Sequence, residues 1–277
     1  MRHGASTGFR GGAASEGRRR AGATLVGLIV VGLLSGCALL GGGAGGVGGS
    51  DDSGGSGGGS LTVPPVIAEA VPASGAGLFA DGTATAYLAD DAWLDRAAEA
   101  TGIPRRALEA YAGTALAEAE VRPGCHIGWN TLAAIGWVES HHGTIFGGRI
   151  DDDGRTTEPI YGVPLDGGGF QQIPDTDRGT VDGDTEWDRA VGPMQIIPQT
   201  WAAWASDGNF DGLLDINQID DATLSAAEYL CYSGGDLGTE AGWRAAITAY
   251  NESPAYLDEV LDYAGRYAAE AESARTD

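Results

Sequence analysis

Glu139 is the residue in this sequence with the most to explain. It stands in Trp129–Gly143, which reads as a short helix ended by Gly143, with Leu132, Ile135, Gly136 and Glu139 at the three-and-four spacing of one face. A carboxylate therefore falls on an apolar stripe. Burying an unpaired carboxylate is costly, so such a group is protonated, hydrogen-bonded or at work in a cleft. A capped or salt-bridged structural Glu is the ordinary alternative. The adjacent His141 and His142 do not make a metal pair, because neighbouring helical residues point about 100° apart and paired ligands need a spacing of three or four. His142 is expected to bond backbone or to favour the negative end of its own helix. A second oxygen-rich stretch, Asp207-Gly208-Asn209-Phe210-Asp211-Gly212, opens like an EF-hand calcium loop, with donors at positions one, three and five and Gly at six. Position 12 is Gln218 where that loop has Glu, so a solvated acidic turn capped by Asp220 or Asp221 competes with the metal reading.

The elements that must position these residues are helical. Asp91–Ala100 forms a first helix, and Gly102-Ile103-Pro104 breaks it and starts a second that runs to about Val121. After the Glu139 helix, residues 143 to 192 lack a period and are dense in turn chemistry, including Asp151-Asp152-Asp153-Gly154 and Asp182-Gly183-Asp184. A loop of this length in a compact domain is usually functional or disordered. Its interleaved Ile160, Tyr161, Val163, Leu165, Phe170 and Ile173 argue for an ordered, acidic, cleft-lining excursion with a short hairpin. Gly192–Trp201 opens a further helix at Pro193 or Pro198, and Asp221–Cys231, Thr239–Tyr250 and Pro254–Glu270 are three more. The fold class expected is mainly α.

The chain has 277 residues, 16 Arg, no Lys and 39 acidic residues, for a net charge of −23. No basic stripe exists to release counterions from phosphates, so nucleic acid is excluded as a partner. Residues 1–36 read as an export signal: Arg18-Arg19-Arg20, a short apolar core from Leu25 to Leu34, then Leu34-Ser35-Gly36-Cys37, which resembles a bacterial lipobox. An uncleaved membrane helix over residues 21–40 is the alternative. Cleavage removes five Arg and one Glu, leaving 11 Arg against 38 acidic residues. Lipidation at Cys37 leaves Cys125 and Cys231 as a pair, expected to be oxidised outside the cytoplasm, with two free thiols as the alternative. Residues 37–80 read as a tether: 41–60 hold 12 Gly, with an end-to-end span of roughly 25 Å, and Pro64, Pro65 and Pro72 extend it. The folded domain is expected over 81–277. Nothing in the sequence requires a dimer, so a monomer is expected.

Four motifs in order then carry a resemblance. Glu139-Ser140-x-His142-Gly143, Gly192-Pro193-Met194-Gln195-Ile196-x-Pro198-x-Thr200-Trp201, Asp220-Asp221-Ala222 leading to Ala226-Ala227-x-Tyr229-Leu230-Cys231, and Ala249-Tyr250-Asn251-x-Ser253 are similar to those of the lytic murein transglycosylases of the membrane-bound B type. The resemblance covers roughly Asp91 to Tyr267. It implies a lysozyme-like α domain acting on peptidoglycan glycan strands, with an exported protein held on the bacterial membrane by lipid at Cys37 and facing the cell wall. Glu139 would be the sole catalytic carboxylate, first acid and then base, forming a 1,6-anhydro product with no cofactor needed for the chemistry. Ser140, Met194, Gln195, Tyr250, Asn251 and Tyr256 would line the saccharide groove, helix packing being the alternative for the two tyrosines and capping for Asn251. The family has a longer calcium loop closed by a later carboxylate, so a structural Ca2+ would be held by Asp207, Asn209, Asp211, the Leu213 carbonyl and Asp221. A hydrolytic muramidase using Asp151, Asp152, Asp153 or Asp166 as second acid, and a non-catalytic wall-binding lipoprotein, are the competing functions. The acidic charge and Ile196, where the family often has an aromatic, depart from its pattern.

Overall fold

The computed structural model describes residues 70–75, 83–168 and 171–274. The expected export signal, Cys37, most of the tether and Phe170 lie outside these residues. The described residues form a short 3-10 helix at Thr85–Tyr87 and seven α-helices: α1 (Asp91–Thr101), α2 (Arg105–Val121), α3 (Trp129–Ser140), α4 (Pro198–Trp204), α5 (Ile219–Gly234), α6 (Glu240–Tyr250) and α7 (Pro254–Ser273). No strand forms among the described residues, so the fold there is mainly α, as expected. None of these helices is long and apolar enough to cross a membrane.

Local chemistry sets the boundaries. Asp90 caps α1 by accepting from the Trp93 N–H at 2.9 Å, and Gly102 ends it in the left-handed conformation that glycine adopts without penalty. Pro198, with its preset φ and absent N–H, is the first residue of α4. Gly192 to Ile197 are instead turns ahead of that helix, with Val191 and Ile196 exchanging backbone hydrogen bonds. Helix α5 begins at Ile219, and neither Asp220 nor Asp221 is its cap. Gln218 is: its side-chain oxygen accepts from the Asp220 and Asp221 N–H groups. The glutamine that breaks the EF-hand pattern thus satisfies two orphan donors of the helix start.

Helix α3 is the centre of the molecule. It packs on α2 and α7, and Trp129 through Gly136, with Glu139 and Ser140, are all buried. A helix apolar nearly all round is a core helix, so the stripe expected from its spacing is part of a fully enclosed cylinder. Asn130 Nδ2 donates to the Ala264 carbonyl on α7 at 3.0 Å, and the Trp243 indole on α6 donates to Thr131 at 3.1 Å. At Gly136 a Cβ would sit 2.1 Å from the Tyr111 hydroxyl, so the crossing with α2 depends on glycine there.

The long loop is ordered by isolated antiparallel bridges, Tyr161 with Val191 and Pro174 with Trp187 among them, in place of a continuous hairpin. Its Asp151–Asp153 turn lies over the ion pair of Arg106 with buried Asp220, and the Gly154 carbonyl accepts from Ile219 N–H. Cys125 and Cys231 form a disulfide that fastens the approach to α3 onto α5. Within the stretch expected to be tether, Val71 is in the core and Ala73 bridges to Ala89, so two exchanged backbone hydrogen bonds hold this segment to the entry of α1.

Candidate active site

Glu139 lies one residue before the end of α3 and is 4 % exposed. Its Oε1 accepts a 2.6 Å hydrogen bond from the Tyr256 hydroxyl, in the first turn of α7. Its Oε2 is buried and has no hydrogen-bond partner. Burial pushes the carboxyl up to about 8; the Tyr256 hydrogen bond works against this and the charge of Glu259 adds to it. The group is therefore a neutral acid at pH 7, with one oxygen anchored and the other free of protein partners. Such a carboxyl can deliver a proton along Oε2 and is held in place while it does so.

The residues expected to line a saccharide groove, Ser140, Met194, Gln195, Tyr250, Asn251 and Tyr256, are all buried. Tyr250 ends α6, lies within reach of the Glu139 charge, and donates from its hydroxyl to the Met194 carbonyl at 2.7 Å. Burial raises the pKa of both Tyr250 and Tyr256, so each stays a phenol that can donate. Met194 is itself fully buried. Gln195 has a left-handed backbone, φ 47°, and its amide donates to the Gly192 and Ile160 carbonyls, pinning the long loop to this turn. Asn251 caps the end of α6 and accepts from Ser253 N–H. Ser140 differs most from expectation. Its hydroxyl donates to the Pro193 carbonyl at 2.6 Å and accepts from Gly143 N–H at 2.8 Å, so it is committed to fastening α3 to the Met194 turn.

The end of α3 also carries a network that the sequence did not disclose. Helix α3 stops at Ser140, with His141 and His142 both at positive φ before Gly143. His142 is buried. Its Nδ1 and Nε2 each lie 3.1 Å from a tyrosine hydroxyl, Tyr111 on α2 and Tyr267 on α7. Its side chain thus bonds neither backbone nor the end of its own helix. Desolvation drives its pKa down to about 3, so it is neutral and joins one hydroxyl as donor and the other as acceptor. Trp137 packs its ring against those of His141 and Tyr263. A His just before a Gly gives no signal for a contact spanning 125 residues.

The Asp207 loop sits against the start of α5. Asp221 accepts from the N–H groups of Gly208 at 2.8 Å and Asp215 at 2.9 Å, Asp207 Oδ2 accepts from Gly212 N–H, and Asn209 and Asp211 bond each other. Leu213 N–H donates to Asp211 while its side chain is exposed. Burial pushes Asp221 up to about 6, backbone hydrogen bonds oppose this, and the charge of Asp207 adds to it. Asp207 Oδ1 is buried without a hydrogen-bond partner, which suits a cation. Among the described residues the three-carboxylate group whose oxygens lie within 4.8 Å of one another is a different one, Asp175, Asp177 and Asp188 in the long loop. Asp188 there is capped by Thr176 through both its oxygens.

Comparison with known families bears on the half of the site that follows Glu139. Residues 174–255 match the transglycosylase SLT domain. The match supports a lytic transglycosylase family over this segment, which is less than half of the chain. It contains Met194, Gln195, Tyr250, Asn251 and the Asp207 loop, begins after Glu139, and ends one residue before Tyr256. No curated protein and no solved structure compared with the chain gives a match. The SLT segment and α3 are joined physically by Ser140 on Pro193 and by the placement of Tyr250 beside Glu139.

Proposed function

We propose that this protein is a peptidoglycan lytic transglycosylase that cleaves the MurNAc-β-1,4-GlcNAc bond without water and leaves 1,6-anhydroMurNAc ends. The observation that carries the reading is Glu139: neutral at pH 7, anchored through Oε1 by Tyr256, with Oε2 unpartnered. Glu139 donates its proton to the glycosidic oxygen as the C1–O bond breaks, and the GlcNAc leaves as an alcohol. The positive charge that develops at C1 is steadied by the sugar's own N-acetyl group. The Glu139 carboxylate, held by the Tyr256 hydroxyl, then takes the proton of the MurNAc C6 hydroxyl as that oxygen bonds to C1, and the acid is restored. Two-carboxylate hydrolysis needs a second acid at a defined separation. The charge that bears on Glu139 is that of exposed Glu259, and none of Asp151, Asp152, Asp153 or Asp166 contributes. Asp151 and Asp166 cap the backbone of their own turns.

The same reading makes the protein a lipid-anchored, exported enzyme of the membrane-bound B type, tethered from Cys37, with calcium held by Asp207, Asn209, Asp211, Leu213 and Asp221 as a structural brace of the α5 start. Mass spectrometry of digested peptidoglycan tests it. Products lacking the elements of water at the MurNAc end, and absent with Glu139→Gln, are expected. Products carrying added water identify a muramidase, and no cleavage by the folded wild type identifies a binding protein.

A further inference from the structure

The Cys125–Cys231 disulfide has a buried carboxylate against it. Glu118, on α2, is 2 % exposed, and its Oε2 lies 3.5 Å from Cys231 Sγ on α5. A disulfide sulfur has no hydrogen to offer, so this oxygen meets lone pairs there. The other oxygen, Oε1, accepts from Arg122 Nη1 at 2.6 Å, one turn further along α2. Arg122 Nη2 also lies 3.0 Å from a carboxylate oxygen of Glu228, three residues before Cys231 on α5. Burial raises the Glu118 pKa, and the hydrogen bond and charge of Arg122 work against this. A guanidinium that never loses its proton favours the charged form of its partner, so Glu118 is a carboxylate. One positive charge thus serves two negative ones beside the disulfide. The sulfurs are nearly covered, Cys125 being 4 % and Cys231 7 % exposed.

We infer that Glu118 guards this disulfide against exchange with thiolates. The inference stands independently of the function proposed above. Reduction begins when a thiolate attacks one sulfur: a new S–S bond forms, the old one breaks, and its electron pair leaves on the other sulfur. Attack at Cys125 places that charge on Cys231, against Glu118 Oε2. Attack at Cys231 brings the incoming anion to the same oxygen. Both routes gather negative charge in a buried place of low dielectric, where like charges repel most strongly. Only after this step can a second thiolate remove the bound reagent as its own disulfide and leave, with protons from water, two protein thiols. The guard matters to the fold because this crosslink fastens the approach to α3, the helix of Glu139, onto α5.

The test measures how fast the full chain loses the disulfide at pH 8 in 2-mercaptoethanesulfonate, an anionic thiol, and in cysteamine, a cationic one. Each rate is divided by that of the same reagent on a small uncharged disulfide, which removes the difference in thiol reactivity. Alkylation and peptide mass spectrometry count freed Cys125 and Cys231 apart from Cys37. Glu118→Gln keeps the shape and removes the charge. It is expected to speed the anionic reagent by roughly fivefold to twentyfold and to change the rate of the cationic one by less than about threefold. Equal acceleration of both reagents means that the variant loosens the fold, and it overturns the guard. Unchanged rates with both reagents overturn it as well. Should Glu118→Gln not fold, Glu228→Gln removes a charge from the same trio at a part-exposed position. The anionic rate is then expected to rise about twofold over the cationic one, and an unchanged ratio overturns the inference.

Discussion

A buried carboxyl that is neutral at pH 7 works as an acid only if an oxygen is left for the substrate. Glu139 meets that condition, and its position makes two pH dependences. In the mechanism proposed above activity needs the protonated form, so the rate is expected to fall as pH rises through about 8. Stability carries the same sign. The folded pKa is raised above the ordinary 4.5, so the contribution is complete below 4.5 and is lost as pH rises through about 8. At about 1.4 kcal/mol per pH unit the loss reaches roughly 5 kcal/mol at alkaline pH. Glu139→Gln is isosteric and does not titrate. We expect it to melt several degrees above wild type at pH 9 and close to it at pH 4, measured by calorimetry. Melting curves that stay parallel from pH 4 to 9 would contradict a buried neutral Glu139. Neither pH dependence could be read from Trp129–Gly143 alone: the spacing identified an apolar setting for Glu139, but its hydrogen-bond donor is 117 residues away on α7.

Elements show where sequence periodicity reaches its limit. Helical spacing located α1, α2, α3, α5, α6 and α7 to within a few residues, because each has a helical apolar period or ends at Gly or Pro. Helix α3 ends three residues before Gly143 because His141 and His142 take up positive φ, with their N–H groups bonded back to the Trp137 and Gly136 carbonyls and the His142 ring held between Tyr111 and Tyr267. The α2–α3 crossing gives one prediction. Gly136→Ala drives a Cβ into the Tyr111 hydroxyl, which must move and so disturb its bond to His142. Overpacking of this kind costs about 1–3 kcal/mol, to be read from the urea midpoint at unchanged m-value. The Asp207 loop gives another. If calcium binds there, millimolar calcium, the range of extracellular loop sites, raises the melting temperature. The rise is larger at pH 8 than at pH 5, because Asp221 titrates near 6 and binds as the carboxylate. Asp207→Asn should abolish the shift, since it removes the charge from the unpartnered oxygen. An equal shift in wild type and variant would place the ion elsewhere, and no shift in either would leave the loop as an acidic turn capped by Gln218.

At the scale of the whole molecule, the disulfide and two buried titrating groups decide where the fold is most stable. Closing the 106-residue separation between Cys125 and Cys231 contributes roughly 4–5 kcal/mol at any pH in the chain-entropy model. Glu139 and His142 set the pH limits, and they act in opposite directions. The His142 pKa is depressed from 6.5 to about 3. For a base this means that its contribution is complete above 6.5 and is lost as pH falls through 3. The Glu139 contribution is complete below 4.5 and is lost through 8. Between about 4.5 and 6.5 the slopes of these two groups cancel, and each acts alone on its own side, with Asp221 at about 6 adding a smaller contribution of the Glu139 sign. His142→Phe should therefore remove the acid-side slope between pH 6.5 and 3 and keep the alkaline one. It should also cost about 1–3 kcal/mol throughout, because two tyrosine hydroxyls lose their partner. Chemical denaturation at half-unit pH steps separates the two effects: the lost hydrogen bonds lower the whole curve, and the lost titration changes its slope on the acid side alone. A variant curve that is merely displaced, with the acid limb intact, would show that His142 is not the group that sets that limb.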